Sequence, residues 1–213
     1  VLIINSLCDG CFSSIENLSQ SDDTKVLSEA LKKSNQIIID IGAAGTAMRF
    51  LTAYFAQKDG CEVLLTGSQR MKERPIAPLV GALRQLGADI SYAEKEGFPP
   101  LKIKGKELEG GKIKLSANVS SQYISALMMI APKMKKGLEI SLEGEVVSLP
   151  YIEMTKKIME HFGAKVLFEK KVLTICKSNY NSTSFSVEAD WSAASYWYAL
   201  VLAQKQGTVL LRG

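Results

Sequence analysis

The chain offers a metal very little to bind. Among its 213 residues there is one histidine, His161, and four cysteines, Cys8, Cys11, Cys61 and Cys176. Cys8 and Cys11 form a lone C-x-x-C, whereas a zinc site draws its ligands from paired spacings. No metal is expected, and the cysteines read as free thiols of a reducing compartment. With His161 alone in a helix-like run, a Ser-His-Asp arrangement is excluded. No apolar run approaches the ~20 residues of a membrane span. The opening Val1-Leu2-Ile3-Ile4 is too short for a signal-peptide core and has no basic flank. A cytoplasmic protein without a membrane partner is therefore expected. Aromatic residues make up 8% of the chain, and no block of Lys and Arg is interleaved with them, so nucleic acid is not an expected partner. The stretch Gly42 to Arg49 lacks both the Gly-Lys-Ser/Thr ending of a P-loop and the G-x-G-x-x-G of a dinucleotide fold. No organic cofactor is expected.

What the chain does have is enough apolar material for a core. Hydrophobic residues are 46% of the total, charged residues 23%, and 26 basic against 22 acidic side chains give a net charge of +4. This composition supports one large domain or two small ones. The mild positive balance suits small anionic ligands.

The chain also repeats itself. Arg84-Gln85-Leu86-Gly87-Ala88-Asp89-Ile90 resembles Glu160-His161-Phe162-Gly163-Ala164-Lys165-Val166, and the two glycines stand 76 residues apart (163 − 87). The same offset sets Gly45 on Ser121, Thr46 on Gln122 and Pro75 on Tyr151. Each unit reads as a helix, a strand between glycines, a second helix ending in Gly-Ala, and further strands. Gly207 to Gly213 reads as the start of another copy, and the stretch from Gly10 to Asp23 as a degenerate one. One helix of each unit is apolar all round: Ala47 to Phe55, Tyr123 to Ala131, and Ala193 to Ala203. Such a helix is expected to be buried. The other is amphipathic, as in Ile76, Leu79, Val80, Leu83 and Leu86. Gly87 and Gly163 read as helix C-caps, and Asp22 as the N-cap of a helix through Leu31. Strands are expected at 61–66, 88–93, 101–104, 112–115, 138–142, 164–168, 171–176 and 184–188, half-exposed where Leu101-Lys102-Ile103-Lys104 alternates. The expected class is α/β, with buried helices inside and sheets and amphipathic helices outside, in a closed pseudo-symmetric domain.

The polar residues fall into register with this repeat. Small residues at 42–46 follow the strand-like run 37–41 and open a helix, where amide groups and the helix dipole favour an anion. About a turn further lies Arg49, and then a cationic turn, Arg70-Met71-Lys72-Glu73-Arg74-Pro75. Two anion-ready helix starts so near one another point to a ligand with more than one negative group. Arg70 and Arg74 can each grip a phosphate or carboxylate with a planar fork; the plainer reading is a solvated turn with a Glu73 ion pair. Ser120, Ser121 and Gln122 open the second apolar helix, Ser148 and Tyr151 the second amphipathic one, and Asp190 the third apolar helix. Each of these also serves as an ordinary cap or packed aromatic. Pseudo-symmetry predicts that these helix starts converge at one end.

At these residues the chain resembles the enolpyruvyl transferases, and within them the shikimate-pathway branch. The matching motifs are Ala44-Gly45-Thr46-Ala47-Met48-Arg49, Arg70 to Ile76, Val119-Ser120-Ser121-Gln122-Tyr123, Ser148-Leu149-Pro150-Tyr151, and Ala189-Asp190. The resemblance implies two similar domains, each an inside-out α/β barrel of three βαβαββ units, with substrates in the cleft between. It implies transfer of the enolpyruvyl group of phosphoenolpyruvate to the 5-hydroxyl of shikimate 3-phosphate, with release of phosphate, on the route to chorismate and the aromatic amino acids. It implies Gly45, Arg70 and Gln122 as contacts to phosphoenolpyruvate, with Arg70 and Gln122 catalytic. Ser120, Ser121, Gln122, Ser148 and Tyr151 would hold shikimate 3-phosphate, and Thr46 and Arg49 would shape the helix start. Where the family pattern has Asn, Pro and Lys, this chain has Ala43, Phe50 and Leu149. The family's Lys-Ser-x-Ser-Asn-Arg segment would precede Val1 and a second domain would follow Gly213. The chain is accordingly expected to be an N-terminal fragment, inactive alone, with residues 1–189 as the substrate-binding domain and 190–213 as the start of the connection to its partner domain. The sister branch that acts on UDP-N-acetylglucosamine usually carries a reactive cysteine where this chain has Arg70 to Arg74. A non-catalytic binding domain of similar topology, as in RNA-end cyclases, is the remaining alternative.

Overall fold

The computed structural model describes residues 1–8, 14–33, 36–146, 148–204 and 207–211. The chain divides into two compact units, Val1–Phe12 with Gln20–Thr183, and Ser13–Ser19 with Ser184–Gly213.

The first unit holds two copies of one motif. In the first copy, strands β2 (Ile38–Asp40), β3 (Glu62–Thr66), β4 (Asp89–Tyr92) and β5 (Leu101–Lys104) form a sheet in the order β2-β3-β5-β4. In the second, β6 (Gly111–Ser116), β7 (Leu138–Glu143), β8 (Val166–Glu169) and β9 (Val172–Ile175) form a sheet in the order β6-β7-β9-β8. In both, the first two strands are parallel and the other pairs antiparallel. The parallel pair demands a crossover, and each copy supplies a buried helix there: α3 (Gly45–Gln57) and α6 (Ser121–Ile130).

Alternation explains the sheets. Leu101 and Ile103 are fully buried while Lys102 and Lys104 face solvent. On the wet faces, Lys104 meets Glu62, Lys112 meets Glu139 and Lys114 meets Glu143 across neighbouring strands. Helices α3 and α6, mostly apolar, are buried nearly throughout and pack against one another. The amphipathic helices α5 (Ala77–Gln85) and α7 (Leu149–His161) bury one stripe each, Leu79, Val80 and Leu83 in α5 and Ile152 and Met159 in α7. Both end alike. Gly87 and Gly163 take φ of +100° and +89°, their amides donate to Arg84 and Glu160, and the next amides reach back to Leu83 and Met159. This is the Schellman ending that a glycine permits.

The two copies touch along α3 and α6, and polar bonds mark both ends of that contact. Gln122 Nε2 donates to Thr46 Oγ1 at 3.1 Å, and Gln57 Nε2 to the Lys133 carbonyl at 2.9 Å. Each bond joins residues 76 apart, the offset of the sequence repeat. The duplicated helices therefore run side by side in register. Gln57 also accepts from the Leu108 amide. Helix α1 (Leu2–Leu7) buries Ile3 and Ile4 in the same core, and in α2 (Asp22–Lys32) the N-cap position falls on Ser21, not on Asp22 as the sequence suggested, with no capping bond from its side chain. Asp22 and Asp23 occupy the first turn, where their charge still favours the dipole.

The second unit comprises β1 (Ile15–Glu16) parallel to β10 (Phe185–Ser186), and α8 (Trp191–Gln204). Two expectations fail here. The apolar helix at 193–203 is exposed along its length, with Trp191 71% and Leu202 79% exposed, because its own unit contains no further layer to cover it. Residues 207–211 form no strand, for want of a strand to pair with; Arg212 and Gly213 lie outside the described residues. So do Gly10 and Cys11, and with them half of the C-x-x-C. None of the other three cysteines is in a disulfide, and Cys61 is buried, Cys8 half-buried and Cys176 exposed. No closed barrel and no helix long and apolar enough to cross a membrane occur among the described residues.

Candidate functional site: an anion cavity at the start of α3

The chain enters α3 through a turn that leaves the helix start open. Gly42 takes φ of +56° and donates its amide to Asp40 Oδ1 at 2.8 Å. Ala44 occupies the N-cap position and has no side-chain acceptor to offer. Among the described residues, the amides of Gly45, Thr46 and Ala47 donate to no protein group. These are the orphan donors that an anion satisfies.

Beside this start lies a cavity of about 440 Å³ lined by Ala43, Ser68, Arg70, Met71 and Arg74. Among the described residues its walls carry two guanidinium groups and no carboxylate. The Ser68 hydroxyl is buried without a hydrogen-bond partner. Neither Arg70 nor Arg74 forms an ion pair among the described residues, so the Glu73 pairing of the plainer reading is not made; Lys72 pairs with Glu94 instead. The second helix start expected here is only α4 (Gln69–Lys72). Four residues sum to little dipole, so the cations of this turn act through their side chains.

The turn is fixed from two sides. Met71 and Ile76 are buried, and Tyr123, on α6, donates its hydroxyl to the Pro75 carbonyl at 2.7 Å. Arg49 is 7% exposed. Its Nη1 donates to the Gly45 carbonyl at 2.6 Å, its Nε has no partner, and its guanidinium lies 6.0 Å from the Tyr123 ring. Burial, then the charge of Arg74, pulls its pKa down. Two like charges near one helix start, with no ion-pair partner among the described residues, is an arrangement that a bound anion relieves.

The start of α6 is built differently. Ser120 caps it, its Oγ accepting from the Gln122 amide at 3.3 Å. Ser121 and Gln122 are half-buried, and Gln122 reaches across to Thr46. Ser148 precedes α7 and Tyr151 stands on its first turn, 59% exposed. Thr155 ties that turn to α6, bonding the Tyr151 carbonyl and Ser125 Oγ at 2.8 Å each. The structure thus joins Gly45, Thr46, Arg49 and Gln122 at one end of α3 and α6, with Arg70 lining the cavity beside them. Ser120 and Ser121 open the adjoining helix, and Ser148 and Tyr151 open α7, apart from the cavity wall. Asp190, in the second unit, caps α8 by accepting from the amides of Ser192 and Ala193. Ser68 carries no site signal in the sequence, Tyr123 none beyond its place in a motif, and Arg74 is visible in the sequence only as one of two candidate anion grips.

Fold and site together define an α/β domain of duplicated βαβαββ units with an open, cationic helix start. Residues 14–213 match the family described as EPSP synthase (3-phosphoshikimate 1-carboxyvinyltransferase), and the chain belongs to that family. A 3-phosphoshikimate 1-carboxyvinyltransferase of Bacteroides fragilis (strain YCH46) is 50% identical over 213 residues, all of this chain and 51% of the relative. One from Haemophilus influenzae (strain PittGG) is 44% identical over 189 residues, 84% of this chain and 44% of its own. EPSP synthase from Acinetobacter baumannii superposes with a TM-score of 0.79 at 18% identity, over 92% of this chain and 49% of that one. The chain spans about half the length of the curated relatives it matches.

Proposed function

We propose that this chain binds the substrates of a 3-phosphoshikimate 1-carboxyvinyltransferase, which moves the enolpyruvyl group of phosphoenolpyruvate onto the 5-hydroxyl of shikimate 3-phosphate. The observation that carries this reading is the open start of α3, three undonated amides beside a cavity lined by Arg70 and Arg74 with no carboxylate among the described residues. Phosphoenolpyruvate carries a phosphate and a carboxylate, and suits such a site on charge and size. Arg70 grips the phosphate and takes up charge as it leaves. Gln122, held by Thr46, positions the reacting groups. Donors fixed before reaction are most effective where charge develops, and two substrates held together gain a large proximity advantage.

Shikimate 3-phosphate is assigned to the neutral donors, Ser120, Ser121, Gln122, Ser148 and Tyr151. Ser120 already accepts a bond at its Oγ, yet its O–H remains free to donate to a phosphate. In this reading residues 1–189 are the substrate-binding domain and 190–213 begin the connection to a second, similar domain, in a cytoplasmic enzyme that uses no cofactor. The test is phosphate release from the two substrates, measured on the whole polypeptide that carries this chain. Release that requires both supports the reading. Release with UDP-N-acetylglucosamine in place of shikimate 3-phosphate transfers the protein to the cell-wall branch, and no release with either acceptor rejects the assignment.

A further inference from the structure

The absence of a side chain at Gly45 has a specific structural cause. A Cβ built there would collide with Arg74 Nη1, lie 3.0 Å from Arg74 Cζ and lie 2.8 Å from Arg49 Nη1. The space that any other residue would fill is occupied by the Arg74 guanidinium. Arg49 is locked by burial and by its bond to the Gly45 carbonyl. Arg74 is exposed, lines the cavity with Arg70, has no carboxylate partner among the described residues, and adds to the charge that depresses the Arg49 pKa. Nothing in the described protein compensates the charge it brings to the helix start.

We propose that Arg74 is the second guanidinium ligand of the anion held in this cavity, and that Gly45 is there to seat it. The ligand chemistry is a phosphoryl group shared between the forks of Arg70 and Arg74 and the amides of Gly45 and Thr46. That the phosphoryl group is that of phosphoenolpyruvate rests on the function proposed above. Arg74 and Gly45 then form one device. Adding a methyl group at Gly45 removes affinity by displacing Arg74, so it matters only while Arg74 is present.

A double-mutant cycle on this chain tests it, with phosphoenolpyruvate and inorganic phosphate as calorimetric probes and melting temperature as the control for folding. Losing a charge-assisted bond predicts that Arg74→Gln weakens phosphoenolpyruvate binding about tenfold or more. Arg74→Lys recovers part of that loss, and the unliganded melting temperature does not fall. Gly45→Ala costs about tenfold with Arg74 present and less than about twofold in the Arg74→Ala background. Arg74→Gln binding as tightly as the parent overturns the inference, as does a Gly45→Ala cost that is the same in both backgrounds. Arg74-dependent binding of inorganic phosphate without phosphoenolpyruvate binding upholds the inference while rejecting the enolpyruvyl reading. Failure of the parent to bind either probe rejects both.

Discussion

The two copies in the first unit share a sheet order, a buried crossover helix and a Schellman ending, yet open their buried helices in opposite ways. The first starts α3 with Gly45, leaves the amides open, and brings up Arg49, Arg70 and Arg74. The second starts α6 with Ser121, has the Ser120 cap close the Gln122 amide with its hydroxyl, and has Ser125, not a cation, facing Thr155. One scaffold presents a cationic helix start and a hydroxyl-rich one side by side. Chemistry in this fold is set by helix starts and the loops that face them, while the sheets stay the same.

The comparison is broken most severely by removing what joins the copies. Gln57→Leu removes the bond to the Lys133 carbonyl and leaves the buried Leu108 amide without its Gln57 acceptor, and urea unfolding is expected to show a loss of about 2–4 kcal/mol. Exchanging the helix starts comes next. Gly45→Ser is expected to weaken phosphoenolpyruvate about tenfold, equivalent to about 1.4 kcal/mol, through the collision with Arg74. The reciprocal Ser121→Gly leaves that affinity within about twofold and costs less than about 1 kcal/mol of stability in thermal unfolding. Ser125→Ala deprives the buried Thr155 hydroxyl of one partner while its bond to the Tyr151 carbonyl survives, and a loss of about 1 kcal/mol is expected.

The smallest effect belongs to the surface. Lys135 holds the Glu109 carboxyl below its ordinary pKa, by a hydrogen bond and then by charge. A depressed carboxylate stabilises above its unfolded pKa and loses that contribution as pH falls through the folded value. Both side chains are exposed, so Lys135→Gln is expected to leave melting temperature at neutral pH unchanged within error and to alter only the acid limb.

Much of this fold was legible because duplication leaves marks that survive divergence. Gly87 and Gly163 keep their spacing because both need a left-handed residue, and Leu101 to Lys104 alternates because one face of β5 is wet. The 76-residue offset even named a pair, Thr46 and Gln122, that proves to be bonded. Burial of α8 was not legible. Apolarity tells what a helix would bury, and says nothing of whether its own unit supplies the cover, as the exposed Trp197 and Leu200 show. The α2 cap moved by one residue because Ser21 and Asp22 are both good caps and only backbone geometry separates them. At the site, the motif residues were visible, while the contact between Arg74 and Gly45 was not, since packing across 29 positions (74 − 45) leaves no periodic trace.

The central claim is that the cationic copy, and not its twin, receives phosphoenolpyruvate. An amide NMR titration addresses it directly. Saturable shifts at Gly45, Thr46 and Ala47, weakened by salt and abolished by Arg70→Ala, with Ser121 and Tyr151 unmoved, are the expected result. Shifts confined to the starts of α6 and α7, or no shift at Gly45 to Ala47 at saturating ligand, would contradict it.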